Sequence, residues 1–393
     1  MKMRRYNIWF CFILLISCIE PFDIENLSFE RSLVVNAVIT NEFKNHLVKL
    51  SNTVELRTDE IIKETGAKVF IVDDNQLVYN FIEIEEGKYE SEEKFKADLN
   101  ISYKLVIETK DGKVYESTPE QLMEENSIIE SINRTVIEDD SKTKLVLSVD
   151  SKSFDENKKF YRYEYSETYK MAPNFWNTEE LKVFSDTPPF VIAPVLKDYG
   201  RFCYPTVHSK KILLAETTKL SQNFIREFPV RTIPIDDIEI SIRYSILIKQ
   251  FSISQKTHNY YKLLEKFSVS NDVFSQTQVG KIPSNIKNIE TGKQVVGYFD
   301  VSSISYKRIF FNRENVTDEL YYNNISECYF LKPSLAIRDE SPLLKLLESG
   351  EYVFYARKDP ESNCPGGPYI LVPKKCGDCR DSGPSTKPDF WID

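Results

Sequence analysis

Seven cysteines carry most of the chemistry that this 393-residue chain could do. The earliest with a clear role stands in Leu15-Ile16-Ser17-Cys18, where an apolar run ends and the acidic "EPFD" begins one residue later. The tetrad has the pattern of a bacterial lipobox. Leu15 seats the peptidase, the small Ser17 permits close approach, and the Cys18 thiol takes a diacylglycerol. Cleavage then frees the Cys18 amine for a further acyl chain. Each buried methylene contributes about 0.8 kcal/mol, so two or more chains anchor stably where one holds only marginally. Lys2, Arg4 and Arg5 give the positive start of an export signal, and Cys11 lies in the apolar run that is removed with it. That run, about ten residues, falls short of the roughly 20 that a permanent spanning helix needs. Residues 1–17 therefore read as a signal peptide and 18–24 as a lipidated tether.

Five cysteines follow: Cys203, Cys328, Cys364, Cys376 and Cys379. In an exported chain the default is disulfides, and an odd number leaves one thiol over. Spacing alone leaves the pairing open. Cys364, Cys376 and Cys379 could be three zinc ligands, but none of the three histidines (His46, His208, His258) is near and Asp378 is a poor fourth. A redox C-x-x-C would sit in a βαβ context, which is missing here. The reading is disulfides, with no metal and no cofactor.

Catalytic constellations are sparse. The sequence has no G-x-S-x-G, H-E-x-x-H, P-loop or G-x-G-x-x-G. The runs "DDIEI" and "EDDSK" supply the two carboxylates a glycosidase needs. On an acidic chain, however, such runs read as solvated faces. "VDDNQ" offers three oxygen ligands but not a full calcium loop, so it reads as a turn. The expectation is a protein without catalytic residues. Its formal net charge of −9 becomes more negative once the signal peptide leaves, and this repels phosphate backbones and excludes nucleic acid as a partner.

The elements that must position these residues are mainly β. Over 25–118, "RSLVVNAVIT", "NHLVKLSNTVEL", "AKVFIVDD" and "QLVYNFIEI" are short β-branched runs separated by turn formers. "YKLVIETKDGKVYES" alternates apolar and polar residues on either side of Asp111-Gly112, the signal of a tight hairpin. Strands this short and numerous predict an immunoglobulin-like or transthyretin-like β-sandwich over 25–118. A polar linker over 119–131 leads to a larger β-rich domain over 132–350. In that domain Tyr161, Tyr163 and Tyr165 share one face of a strand, Arg162 and Glu164 the other, and the tyrosine stripe reads as a half-buried sheet face rather than a sugar platform. Residues 172–235, rich in proline, read as long loops of the kind that bind partners, with Trp176 a docking candidate. Ser254 caps a helix near 255–269 with Tyr260, Leu263, Leu264 and Phe267 as its apolar stripe. The last part, 351–393, is a cysteine-containing tail that needs disulfides or docking to stay ordered, with Phe390 and Trp391 as its anchors.

Taken in order, "EPFD", "LVVNAVITN", "KLSNTVEL", "GAKVFIVDD", "GKYES", "YKLVIETKDGKVYEST", "VGKIPSNIKN", "VVGYFDVSSISYKRIFF" and "CGDCRDSG…KPDFW" resemble the DUF4249 lipoproteins of Bacteroidetes across nearly the whole mature chain. The resemblance implies an outer-membrane lipoprotein, often encoded beside a SusC-like TonB-dependent receptor, with no catalytic residues to carry over. Two departures stand out. Lys375 occupies a position where the family usually has a further cysteine, and Gly383-Pro384 replaces Gly-Gly. Glu20 and Asp23, just after Cys18, fit display on the outer face. The function expected is an accessory or binding subunit of that outer-membrane barrel. The alternative is a structural subunit of a larger outer-membrane biogenesis or secretion complex.

Overall fold

The structure, a computed structural model, describes residues 31–54, 61–122, 127–139, 142–154, 159–269, 282–318, 327–357 and 366–393. It is mainly β, and its larger clusters of buried side chains form an N-terminal, a middle and a C-terminal core, with a small fourth cluster at Met171, Cys203 and Cys379. No helix among the described residues is long and apolar enough to cross a membrane.

Alternation builds the N-terminal sheet. Strand β1 (Leu33–Thr40) sends Leu33, Val35, Ala37 and Ile39 into the first core while Asn36 faces out. β2 (Leu47–Asn52), β3 (Ile62–Lys63), β4 (Lys68–Asp73), β5 (Val78–Glu85) and β6 (Lys88–Ser91) continue it. β7 (Ser102–Glu108) and β8 (Val114–Ser117) form the hairpin expected at Asp111-Gly112, where Gly112 N donates to Thr109 O at 2.8 Å. The polar stretch read as a linker carries structure at both ends. β9 (Glu120–Gln121) pairs with β7, and β10 already begins at Ser127.

The middle core lies between two layers. β10 (Ser127–Asp139) and β11 (Lys142–Ser153) form one, completed by β17. β12 (Phe160–Lys170) belongs to the other and buries Tyr161 and Tyr163 completely. The proline-rich region is more regular than its sequence implies. It forms an antiparallel hairpin, β13 (Glu179–Ser185) and β14 (Val191–Leu196), two short strands that edge β12, β15 (Thr206–His208) and β16 (Leu213–Glu216), and then β17 (Phe224–Pro234). Proline falls at ends and edges here, where a missing N–H costs no ladder bond.

β18 (Arg243–Ile253) pairs with β12 along its length and leads into helix α1 (Gln255–Val269), capped by the Ser254 hydroxyl, which accepts from Thr257 N at 3.1 Å. β19 (Ile286–Asn288) then returns to the N-terminal sheet beside β8. β20 (Val296–Asn312) joins the two bodies. Val296–Ser302 runs parallel to β1, and Ser303–Asn312 runs antiparallel to β18. The N-terminal layer is thus completed by residues from far beyond 118. Gly297 makes that junction possible, since a Cβ there would lie 1.9 Å from Val35 O.

The region read as a tail is also structured. Within 351–393, β21 (Tyr352–Arg357) and β22 (Tyr369–Pro373) pair, carry the short α3 (Lys374–Gly377), and pack with the preceding α2 (Pro342–Glu348) and the β13–β14 hairpin around Leu343, Phe354, Leu371 and Ile192.

Candidate binding cleft at the C-terminal end

Two disulfides fold the C-terminal segment back onto the body. Cys203 is joined to Cys379 and Cys328 to Cys376, so both sulfurs of the C-x-x-C pair bond elsewhere rather than to each other. Cys364 lies outside the described residues, as do Leu15, Ile16, Ser17 and Cys18.

The Cys203–Cys379 link presses "KDYGRFCYP", residues 197–205, against "CGDCRDSGP", residues 376–384. Backbone bonds close the seam. Cys379 N donates to Gly200 O at 3.2 Å, and Tyr204 N to Pro384 O at 2.8 Å. The Arg380 guanidinium forks onto Asp378, with Nη2 at 2.7 Å from Oδ2, and its plane lies 4.0 Å from the centre of the Tyr199 ring. Burial alone would raise the Asp378 carboxyl. The Arg380 hydrogen bonds outweigh it, and the pKa falls below the usual carboxylate range. Burial pushes the Lys197 ammonium the other way, below its ordinary value.

Beside this seam opens a cleft of about 590 Å³. Its walls carry the aromatic side chains of Trp176, Tyr199, Phe202 and Tyr204, and, among the described residues, the cations Lys197, Arg201 and Lys387 against the one carboxylate of Asp198. The cations and rings are interleaved. Arg201 lies 5.3 Å from the Trp176 ring centre and 4.9 Å from that of Phe202, while Lys170 approaches Phe202 at 4.2 Å. Trp176 is fixed by donating Nε1–H to Tyr199 O at 2.9 Å, and its segment is tied to the C-terminal core by Phe175 N to Cys376 O at 2.9 Å.

Of the docking residues read from sequence, Trp176 lines the cleft and the two tail aromatics do not. Trp391, 7% exposed, packs edge-on against Tyr204 at 5.1 Å and Phe310 at 5.7 Å. Phe390, 40% exposed, lies under the Arg308 guanidinium at 3.7 Å. The sequence reading missed Lys197, Tyr199, Arg201 and Phe202. Their signal was present as alternating cationic and aromatic residues just before Cys203.

Other chemistry-bearing groups have structural surroundings. His46 is buried and its pKa is lowered to about 4 by desolvation, with Nε2 3.0 Å from Phe95 O. His258 is buried against Phe160 and is lowered in the same direction by burial. Asp73 of "VDDNQ" accepts from Leu77 N at 2.8 Å in a turn. One carboxylate of "DDIEI" departs from the solvated face expected. Glu239, 16% exposed, shares Arg231 with the fully buried Glu167, which also accepts from Tyr244 OH. Burial first, then repulsion from Glu167, raises Glu239 to about 7. Arg231 is shifted up by the same two carboxylates despite its own burial. The guanidinium bonds both, and Glu239 bears the cost of the crowding. Among the described residues, no group of three or more His, Cys, Asp or Glu side chains could hold a metal ion.

What the cleft can do chemically is bind. Its donors are cations, its walls are π faces, and it lies within the roughly 300–1,000 Å³ common for ligand sites. A family described as a domain of unknown function (DUF4249) matches residues 19–308, which includes the 197–205 wall but not the C-terminal segment. No curated protein matches the chain.

Proposed function

The chain belongs to the DUF4249 family, and from that premise we propose that it is a non-catalytic binding subunit held by acyl chains at Cys18 to the outer face of a Bacteroidetes outer membrane. Its partner on this reading is a SusC-like TonB-dependent transporter barrel, for which it captures or presents a nutrient. The observation that carries the reading is the cleft at Trp176, Arg201 and Phe202. Aromatic residues and arginine are enriched in interface cores and dominate their binding energy, and here they are gathered on a chain whose net charge is −9. The lipobox tetrad and the acidic residues after it support the anchor. Two disulfides suit an oxidising compartment.

Purification of the tagged protein from native membranes in mild detergent tests the reading. Co-isolation with one transporter barrel supports it, and its retention by an Arg201→Glu variant would remove the cleft from the account. Cys18→Ala protein that still partitions with membranes would reject the anchor.

A second reading, a scaffold subunit of a larger outer-membrane complex, draws on the outward face of β5. Val78, Ile82 and Ile84 are each about half exposed there. A many-subunit particle without a transporter barrel would favour it.

A further inference from the structure

The strand that turns Tyr161 and Tyr163 into the middle core must turn Arg162 and Glu164 to the opposite side. There the Arg162 guanidinium is held between two rings, 4.2 Å from the centre of Phe251 and 4.8 Å from that of Tyr261 on α1. Its side chain is only 8% exposed. It forms an ion pair with Glu164, and the buried Asp300 carboxyl, bonded by the Ser302 hydroxyl at 2.5 Å and the Thr257 hydroxyl at 3.3 Å, lies within its field. Among the described residues, the buried Arg162 Nε has no hydrogen-bond partner, a costly state for a cationic N–H.

Arg162 lines a pocket of about 190 Å³ at the junction of the two sheets. One wall is the outer face of β1, with Asn36, and another is α1, with Tyr261. The loop between β15 and β16 brings the exposed Lys210 and Lys211 to the rim. That loop is fixed in place, because Ser209 exchanges two hydrogen bonds with the Tyr165 backbone, at 2.9 and 3.1 Å. Three cations therefore face one lining carboxylate, Glu164, on a chain that is acidic overall.

We propose that this pocket binds the carboxylate of a ligand about the size of one sugar ring or one amino-acid residue. Arg162, Lys210 and Lys211 are its cationic partners, and the Tyr261 ring is the surface for its body. The planar guanidinium suits a carboxylate's two oxygens, and the lysines add charge without demanding one geometry. The site is separate from the C-terminal cleft, and the inference stands whether or not that cleft docks a transporter.

Isothermal titration of the full-length protein in detergent micelles tests this. The probes are sodium glucuronate, glucose as the same ring without the charge, and N-acetylalanine as a peptide-like carboxylate. At least one carboxylate binds, with glucose weaker by about tenfold or more. Whichever carboxylate is tighter tells a sugar acid from a peptide end. Lys210→Ala/Lys211→Ala, confined to exposed side chains, lowers affinity about tenfold with thermal stability unchanged. Arg162→Lys, which keeps the charge and loses the fork, also weakens binding. The proposal is overturned if neither carboxylate binds at millimolar concentration, if glucose binds as well as they do, or if the double variant keeps full affinity.

Discussion

The Asp378 carboxylate covers Gly200 so closely that a Cβ on Gly200 would lie 2.7 Å from Asp378 Oδ1. Gly200 also holds φ at +75°, where side chains other than glycine are strained. Both facts place the wall of the cleft under the control of the C-terminal segment. Gly200→Ala should therefore destabilise the protein by about 1–3 kcal/mol. Urea unfolding measures the loss, and an unchanged midpoint would show that the seam gives way without cost.

Arg201 is exposed and stacks on two rings, so its charge can be reversed without disturbing a core. Arg201→Glu should leave thermal stability within about 0.5 kcal/mol of the wild type. The same change should weaken partner binding by about 2 kcal/mol or more, as loss of an interface anchor does. Co-purification yield and unfolding, measured on the same preparation, separate the two effects.

The Cys203–Cys379 link closes a sequence separation of 176 residues, and Cys328–Cys376 closes 48. Restricting the unfolded chain in this way is worth about 2–5 kcal/mol per native disulfide. Cys203→Ser should lose stability in that range. Peptide mapping without reduction should find these two pairs, and a peptide joining Cys376 to Cys379 would contradict them.

Trp391 sits edge-on between Tyr204 and Phe310, and Arg243 Nε donates to Ile392 O at 2.7 Å. These contacts pin the last residues to the ends of β18 and β20. Trp391→Ala should cost about 3–5 kcal/mol, the range for a buried indole. Deletion of 388–393 should cost at least as much, with thermal unfolding as the readout.

Glu239 has a carboxyl raised from 4.5 to about 7. A raised folded-state value means its contribution is complete below about pH 4.5 and is lost as pH climbs through 7. Glu239→Gln cannot ionise, so between pH 4.5 and 8 the variant should gain about 3 kcal/mol on the wild type. Parallel unfolding curves for the two proteins across that window would disprove the assignment.

Local signals were legible in the sequence where the chain solves its problem locally. Alternation gave β1, Asp111-Gly112 gave its hairpin, and Ser254 gave the start of α1. Long-range pairings were not, because no residue in "VVGYFDVSSISYKRIFF" marks which half belongs to which sheet. The β13–β14 hairpin was hidden by its prolines, and "DDIEI" looked solvated because nothing nearby in sequence announces Arg231 folding onto Glu239. Cysteine partners are likewise set by tertiary closure. Of the cleft's lining only Trp176 was legible, since the alternating Lys197, Tyr199 and Arg201 lay in a proline-rich stretch that read as loop.

β20, the strand common to both sheets, also sets when the N-terminal layer can be completed during synthesis. A ribosome delivers β1 early, but that strand keeps one open edge until residues 296–302 have been made. Open edges recruit whatever strand is near, including those of other nascent copies. A chain built this way carries that open edge through most of its synthesis, and truncation before residue 296 would leave β1 without its parallel partner.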